Sequence, residues 1–317
     1  MKLKLRNKNI IVHFVAIAII LFISLININN YNMPVILNDE FGYWSNAELL
    51  LNKNWLELAR ETPYYSMGYS IFLVPILFFC KTYKTAYHAA LVLNAVFLSI
   101  DYCCAYYILI NKKDMRPLNL GDTAVYALES LAAVLVTASL FYVHIAWSEL
   151  CLITVLWIIA ALFVSLEKNF KTYKVILVSL MVVYSYIIHQ RSIGAIIAFV
   201  ICMIWLLLYK KKYWHLFTIV ATIGLALCLQ SVVKYYQNDV LLSGLRSNTL
   251  NYYEVTSLAT ARFQRLINQF ADFLISLCGK VYVTFACSLG IFAVGLKEYI
   301  CRFTRFVKKK KGKSNYF

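Results

Sequence analysis

Acidic residues are scarce in this chain, with 15 Asp and Glu against 31 Lys and Arg among 317 residues. Proline is scarcer, with four positions, while 62% of the residues are hydrophobic. This balance excludes an ordinary soluble domain, because the apolar runs are longer than a soluble core helix requires. None of the nine cysteines forms a Cys-x-x-Cys pair and the five histidines are scattered, so no metal motif is apparent. We expect the cysteines to be small packing residues.

The positive charges occur in clusters that separate the apolar runs. These clusters lie at 2–8, 112–116, 168–174, 210–212 and 308–313. Basic residues in this arrangement are typical of the cytoplasmic loops of membrane proteins. We therefore predict the lipid bilayer, and not nucleic acid, as the partner of this basic chain.

The apolar runs predict an all-α membrane protein with about eight transmembrane helices. We expect them near 10–28, 86–110, 123–145, 149–166, 175–190, 194–209, 214–233 and 271–296. The first is predicted to be a retained anchor, because it is too long for a signal peptide core. Residues 1–300 are thus predicted to form one polytopic membrane domain, followed by a basic cytoplasmic tail at 301–317. With both termini in the cytoplasm, alternation places the loops 29–85 and 234–270 outside the plasma membrane of a cell that we expect to be bacterial.

The first outer loop is predicted to contain two further helices. From Asp39 to Pro63, apolar residues including Trp44 and Trp55 fall on one face, which predicts an outer juxtamembrane amphipathic helix lying on the membrane. The apolar stretch 69–80 is too short to span a bilayer, so we expect a short re-entrant helix there.

Asp39 and Glu40 stand together just beyond the first span. Carboxylates at this place can accept a proton from a hydroxyl group or hold a divalent cation such as Mg²⁺ or Mn²⁺. The positive end of a helix beginning here would favour their ionised forms. A capping Asp and a solvated Glu are the structural alternative.

These features resemble the GT-C superfamily of integral-membrane glycosyltransferases, which use polyprenyl-phosphate sugars. The protein O-mannosyltransferases and the aminoarabinose transferase of lipid A are the nearer relatives. The resemblance covers about residues 5–235 and is carried by Asp39-Glu40 with Tyr43, by Tyr-Tyr-Ser-Met-Gly-Tyr-Ser at 64–70, by Trp147-Ser148-Glu149 and by Asn94. The chain departs from the family pattern in lacking prolines ahead of the re-entrant helix and in its shorter C-terminal half.

The resemblance implies a GT-C-like fold and inverting sugar transfer to an acceptor outside the cytoplasm, which is a glycan, a lipid or a protein of the cell surface. Asp39 would be the base, and Glu40 would contact the acceptor, the sugar or a metal ion. The predicted substrate-binding residues are Tyr43, Tyr64, Tyr65, Gly68, Tyr69, Ser148, Glu149, Gln190 and Arg191. Arg191 is the preferred cation for the lipid phosphate, because a guanidinium binds phosphate oxygens in pairs.

Two alternative functions stay open at this point. A transporter or flippase of lipid-linked sugars would be expected to carry charges along mid-membrane helices, whereas here the acids gather in one loop. A non-catalytic assembly protein with a GT-C-like fold would account for the short C-terminal half. Asp101 lies in the middle of a predicted span, where we expect a structural role for a carboxyl group that is either protonated or bonded to a neighbouring helix.

Overall fold

The computed structural model describes residues 2–31, 37–51, 65–111, 119–189 and 192–235, and these ranges form α-helices without any β-strand. Side chains are described in the same ranges, apart from 2–9, 37–39, 137–138 and 234. The predicted span at 271–296, the tail at 301–317 and most of the loop 234–270 lie outside the described residues.

Ten α-helices and one 3-10 turn follow one another in the described ranges. They are α1 (Lys2–Leu25), the 3-10 turn (Ile28–Asn30), α2 (Leu37–Leu50), α3 (Met67–Phe79), α4 (Tyr83–Asn111), α5 (Leu120–Val134), α6 (Thr137–Tyr142), α7 (Ser148–Lys168), α8 (Thr172–Ile188), α9 (Ile193–Lys210) and α10 (His215–Tyr235).

Five stretches are long and apolar enough to cross a membrane. They are Ile10–Asn30, Tyr83–Asn111, Ser148–Lys168, Ile193–Lys210 and His215–Val233. All five coincide with predicted spans, so the all-helical class is confirmed for the described residues, and these five helices are candidate membrane spans by length and composition. Large apolar side chains point outward from α1, α9 and α10, as lipid-facing surfaces require. The helices α3 and α8 are apolar but shorter, so the count of about eight spans and the re-entrant path of α3 stay predictions.

The span predicted at 123–145 is interrupted. Helix α5 ends at Val134, Leu135 has a non-helical conformation (φ −82°, ψ 39°), Val136 is extended, and α6 begins at Thr137. No proline or glycine stands at this break, so the continuous apolar pattern concealed it. The single helix predicted here is therefore wrong, and two short helices take its place.

The helix α2 is buried, which corrects the prediction of an amphipathic helix on the membrane surface. Tyr43, Trp44 and Ala47 are almost inaccessible, and so are the polar residues Glu40 and Glu48. Trp44 packs against the rings of two tyrosines of α4, at centroid distances of 5.4 and 6.3 Å. The apolar face of α2 is thus covered by protein, and Glu40 and Glu48 lie inside as well. The rest of the predicted helix, at 52–64, lies outside the described residues.

Helix α4 forms the centre of the bundle and packs against α1, α5 and α7. It runs antiparallel to α1, because His13 Nδ1 lies 2.8 Å from Tyr102 Oη while His88 Nε2 lies 3.0 Å from the carbonyl oxygen of Tyr31. It runs parallel to α7, because the side chain of Lys168, at the end of α7, donates to Asn111 Oδ1 at 3.0 Å, at the end of α4.

This arrangement gives the bundle two distinct ends. We call the first the basic end, where α4 and α7 finish and α8 and α10 start; its lysines are Lys168, Lys171, Lys174, Lys210, Lys211 and Lys212. The opposite end brings together the starts of α2, α3, α4 and α7 and the end of α8. This division agrees with the predicted grouping of basic loops on one side of the membrane.

Asp101 lies inside the bundle and is fully inaccessible. It faces α7 beside Thr154 and Cys151. Within the described part of the chain, neither of its carboxylate oxygens has a hydrogen bond of acceptable geometry, and the Thr154 hydroxyl also lacks one. The predicted bond from Asp101 to a neighbouring helix is therefore not found among the described residues.

Candidate functional site

A group of polar side chains collects at the end of the bundle opposite the basic end. We call it the polar cluster, and its members are Glu40, Tyr43, Ser148, Glu149 and His189. They come from the first two turns of α2, from the first turn of α7 and from the residue that follows α8. Helix packing thus unites two regions that the sequence singled out separately, the Asp39-Glu40 pair and the Trp147-Ser148-Glu149 segment.

Glu40 is held by two protein donors and is fully inaccessible. The Tyr87 hydroxyl donates to Glu40 Oε2 at 2.8 Å, and the backbone N–H of Ala146 donates to the same oxygen at 3.1 Å. These bonds connect α2 to α4 and to the turn before α7. A charge-assisted hydrogen bond is worth about 1.5–3 kcal/mol, so the carboxylate is a strong structural tie. The described contacts of Glu40 are structural, and its predicted contact with acceptor, sugar or metal stays a prediction.

Tyr43, Ser148, Glu149 and His189 form a polar chain that leads from the interior toward the surface. Ser148 Oγ lies 2.7 Å from Tyr43 Oη and 3.1 Å from Glu149 Oε2. Its single proton can go to Glu149 while Tyr43 donates to Ser148. Glu149 Oε1 lies 3.8 Å from His189 Nε2, and the two side chains are 14% and 17% exposed. Glu149 and His189 are consequently the accessible members of the chain.

Asn94 fixes the turn that presents Ser148 and Glu149. Its buried Nδ2 donates to the carbonyl oxygen of Ile145 at 2.7 Å and lies 3.4 Å from those of Tyr142 and Val143. These carbonyls belong to the turn whose Ala146 N–H binds Glu40. Asn94, which carries part of the family resemblance, is thus a structural residue that shapes the backbone of the site.

The segment at 65–69 packs α3 tightly against α2 and α8. The Tyr65 and Tyr69 rings meet Tyr43 edge-on, at centroid distances of 5.1 and 5.6 Å. Ser66 Oγ donates to the carbonyl oxygen of Ile188 at 2.8 Å. A methyl group on Gly68 would lie 2.6 Å from the Ile188 backbone, so only glycine permits this approach.

The predicted substrate-binding residues therefore fall into three groups. Tyr43, Gly68, Tyr69 and Ser148 are buried and act as contacts within the protein. Tyr65 is half-buried, and Glu149 is accessible to a small extent. Tyr64, Gln190, Arg191 and the side chain of Asp39 lie outside the described residues, so their roles stay predictions.

Two functional residues were missed by sequence reasoning. Tyr87, which binds Glu40, is one of many tyrosines in the chain and carries no motif. His189 directly precedes the predicted Gln190 and Arg191 but was not itself predicted, because an isolated histidine in a sequence does not indicate its partner. In both cases the partner is distant in sequence.

The predicted divalent cation finds no support in the described residues. No three His, Cys, Asp or Glu side chains there lie close enough to hold a metal ion. Glu40 Oε2 is already bound by two hydrogen-bond donors, which a metal ligand would have to give up. The side chain of Asp39, the other predicted ligand, lies outside the described residues, so the divalent cation stays a prediction.

The described part of the chain defines an α-helical membrane protein with a polar cluster at one end of its bundle. No protein-family model matches the chain, and comparison with curated proteins and with solved structures gives no match. The GT-C resemblance therefore stays a prediction based on the residues quoted for it.

Proposed function

We propose that the protein transfers a sugar from a polyprenyl-phosphate donor to an acceptor outside the cytoplasm, with inversion at the anomeric carbon. The observation that supports this most is the meeting of the Asp39-Glu40 segment with Ser148, Glu149 and His189 at one end of the bundle. A membrane enzyme of this kind needs a base and a phosphate-binding cation near one membrane face. The Asp39-Glu40 segment would supply the base and the segment at His189 would supply the cation, and Glu40 and His189 both lie at this end of the bundle.

In this proposal Asp39 is the base and Glu40 positions it. Asp39 lies in the first turn of α2 (Leu37–Leu50), where the positive helix end favours a carboxylate. Glu40, its neighbour in the chain, anchors that turn through Tyr87 and Ala146. Asp39 takes the acceptor's hydroxyl proton as the acceptor oxygen attacks the anomeric carbon. The sugar–phosphate bond then breaks, and its electron pair leaves with the polyprenyl phosphate.

A cation near the leaving phosphate would stabilise its charge. His189 lies at the end of α8 beside Glu149, and Arg191 follows two residues later. We assign the lipid phosphate to His189 together with Arg191.

The test uses purified full-length protein in vesicles with radiolabelled polyprenyl-phosphate mannose, glucose or aminoarabinose and with a cell-envelope extract that supplies the acceptor hydroxyl, and it measures release of free polyprenyl phosphate. Asp39→Asn should lower turnover at least about 100-fold, the lower range for loss of a positioned base. Asp122→Asn is the matched control, because Asp122 starts α5 at the basic end. Equal turnover by Asp39→Asn and wild type would refute the assignment of Asp39.

A second candidate function is a non-catalytic assembly protein. It is favoured by one observation, the burial of Tyr43, Gly68, Tyr69 and Ser148 in contacts between helices. Under this alternative, the wild-type protein releases no polyprenyl phosphate from any of the three donors, and Asp39→Asn leaves its stability and complex formation unchanged.

A further inference from the structure

The basic end of the bundle carries a surface that combines lysines with exposed aromatic rings. We call it the lysine–aromatic surface; it consists of Lys171, Tyr173, Tyr209, Lys210, Lys211, Lys212, Tyr213 and Trp214. It is formed by the start of α8, the end of α9 and the turn that leads into α10.

The elements that carry this surface are joined to one another. Thr172 Oγ1 lies 3.2 Å from His215 Nε2, and the Phe170 ring meets the His215 ring edge-on with centroids 4.9 Å apart. Lys211 closes α9 in the left-handed conformation (φ 55°). Its N–H and that of Lys212 donate to the carbonyls of Leu208 and Leu207, at 3.2 and 2.9 Å. The backbone groups of the turn are thereby satisfied internally, so the lysine side chains are the groups that can bind a partner.

The surface has a strong excess of positive charge. Lys171, Lys211 and Lys212 are exposed and Lys210 is half-buried. Against these lysines, the described segments 165–174 and 209–215 contain one acidic residue, Glu167. Several ammonium groups at one place attract an anionic surface.

The aromatic residues of this surface are of the kinds that are typical of the border of the lipid hydrocarbon. Trp214 is 90% exposed, and Tyr173, Tyr209 and Tyr213 are exposed as well. Tyr209 stacks on Trp205 with centroids 5.7 Å apart. The Lys210 and Lys171 ammonium groups lie 5.7 and 5.9 Å from the centroids of the Tyr209 and Tyr173 rings. Tryptophan and tyrosine concentrate at the headgroup level of a bilayer, and lysine stems reach from there to the phosphates.

We propose that the lysine–aromatic surface binds the headgroups of anionic phospholipids in the leaflet that it faces. The lysines contact the lipid phosphates, and the rings lie between headgroups and acyl chains. The partner is lipid and not a soluble polyanion, because exposed apolar side chains of α9 and α10, such as Trp205 and Phe217, continue directly from the surface. This inference is independent of the proposed enzymatic function.

The experiment compares the lipid preference of full-length variants in vesicles. Quenching of tryptophan fluorescence by brominated phosphatidylglycerol or brominated phosphatidylcholine gives the relative binding of the two lipids. A lysine near an anionic surface contributes about 1 kcal/mol, or roughly fivefold in binding. The triple variant Lys210→Gln/Lys211→Gln/Lys212→Gln should therefore lose about tenfold or more of the preference for phosphatidylglycerol.

The matched control is Lys81→Gln/Lys84→Gln, which removes exposed lysines at the opposite end of the bundle. It should leave the preference intact, and added salt should weaken the wild-type preference. Soluble glycerol phosphate should not compete. The proposal is overturned if wild type shows no preference, if the triple variant keeps it, if the control loses it equally, or if glycerol phosphate displaces the lipid.

Discussion

Replacing Glu40 with glutamine and with alanine should give very different results, because the hydrogen bonds that Tyr87 and Ala146 donate to this side chain end on one oxygen. Tyr87 Oη and Ala146 N lie 2.8 and 3.1 Å from Glu40 Oε2. A glutamine can place its amide oxygen at this point and accept both bonds. What it loses is the charge, which strengthens hydrogen bonds but is costly to bury.

The magnitudes follow from this geometry. In Glu40→Gln, two charge-assisted bonds of about 1.5–3 kcal/mol become neutral bonds of about 0.5–1.5 kcal/mol, while a buried charge is removed. We therefore expect its stability to stay within about 2 kcal/mol of wild type. Glu40→Ala leaves the Tyr87 hydroxyl and the Ala146 N–H without an acceptor and opens a cavity, at a cost of about 3–5 kcal/mol. Tyr87→Phe, which removes one donor, should cost about 1.5–3 kcal/mol.

The measurement is the temperature at which half of the purified protein in detergent loses its monodisperse gel-filtration peak. At roughly 2–4 °C per kcal/mol, the half-loss temperature should fall by roughly 6–20 °C in Glu40→Ala and by no more than about 4–8 °C in Glu40→Gln. Equal losses in the two variants would refute the argument from a shared oxygen. Turnover provides a second readout, since Glu40→Gln should keep donor turnover that Asp39→Asn loses. A folded but inactive Glu40→Gln would return Glu40 to a catalytic role.

Two further predictions concern packing between helices. Gly68→Ala brings a methyl group to within 2.6 Å of the Ile188 backbone and should cost about 1–3 kcal/mol of stability. In the control Gly224→Ala, the methyl group meets nothing within 4 Å, so this variant should be neutral or more stable by up to about 1 kcal/mol. Equal thermal shifts in the two variants would contradict the close approach of α3 to α8. Thr154→Val removes the hydroxyl that lies beside the buried Asp101 carboxyl group and should lower the same half-loss temperature, since a buried carboxyl group that loses a polar neighbour costs about 1–3 kcal/mol; an unchanged temperature would mean that Asp101 does not depend on Thr154.

The sequence predicted those parts of the fold that depend on local hydrophobicity. The helices α4, α7, α9 and α10 fall where apolar runs were found, because one run of about 20 residues suffices to identify a span. The burial of α2 was not predictable in this way. A face with Trp44 looks the same whether lipid headgroups or the tyrosines of α4 cover it. The break after Val134 also has no proline or glycine to mark it.

For the candidate site, the sequence identified the acidic pair and Ser148-Glu149 but not their contacts. The bonds of Glu40 join residues 47 and 106 positions apart, a separation at which no spacing rule applies. A carboxylate beside the bilayer was read as a reactive group because unpaired acids are costly there. The tertiary structure supplies the donors that remove this cost. The sequence thus marked Glu40 as a carboxylate that needs a partner, and the partners that the structure shows come from distant segments of the chain.

The parallel pairing of α4 and α7 has a consequence for the order in which the chain assembles during synthesis. Ala146 lies beyond α4, α5 and α6, so α2 emerges from the ribosome long before its second donor exists. Until then, Glu40 would have to remain hydrated at the membrane border with Tyr87 as its early contact. The contacts of Glu40 are therefore completed late, and a nascent chain arrested before Ala146 should expose α2 to proteolysis more than the full chain does.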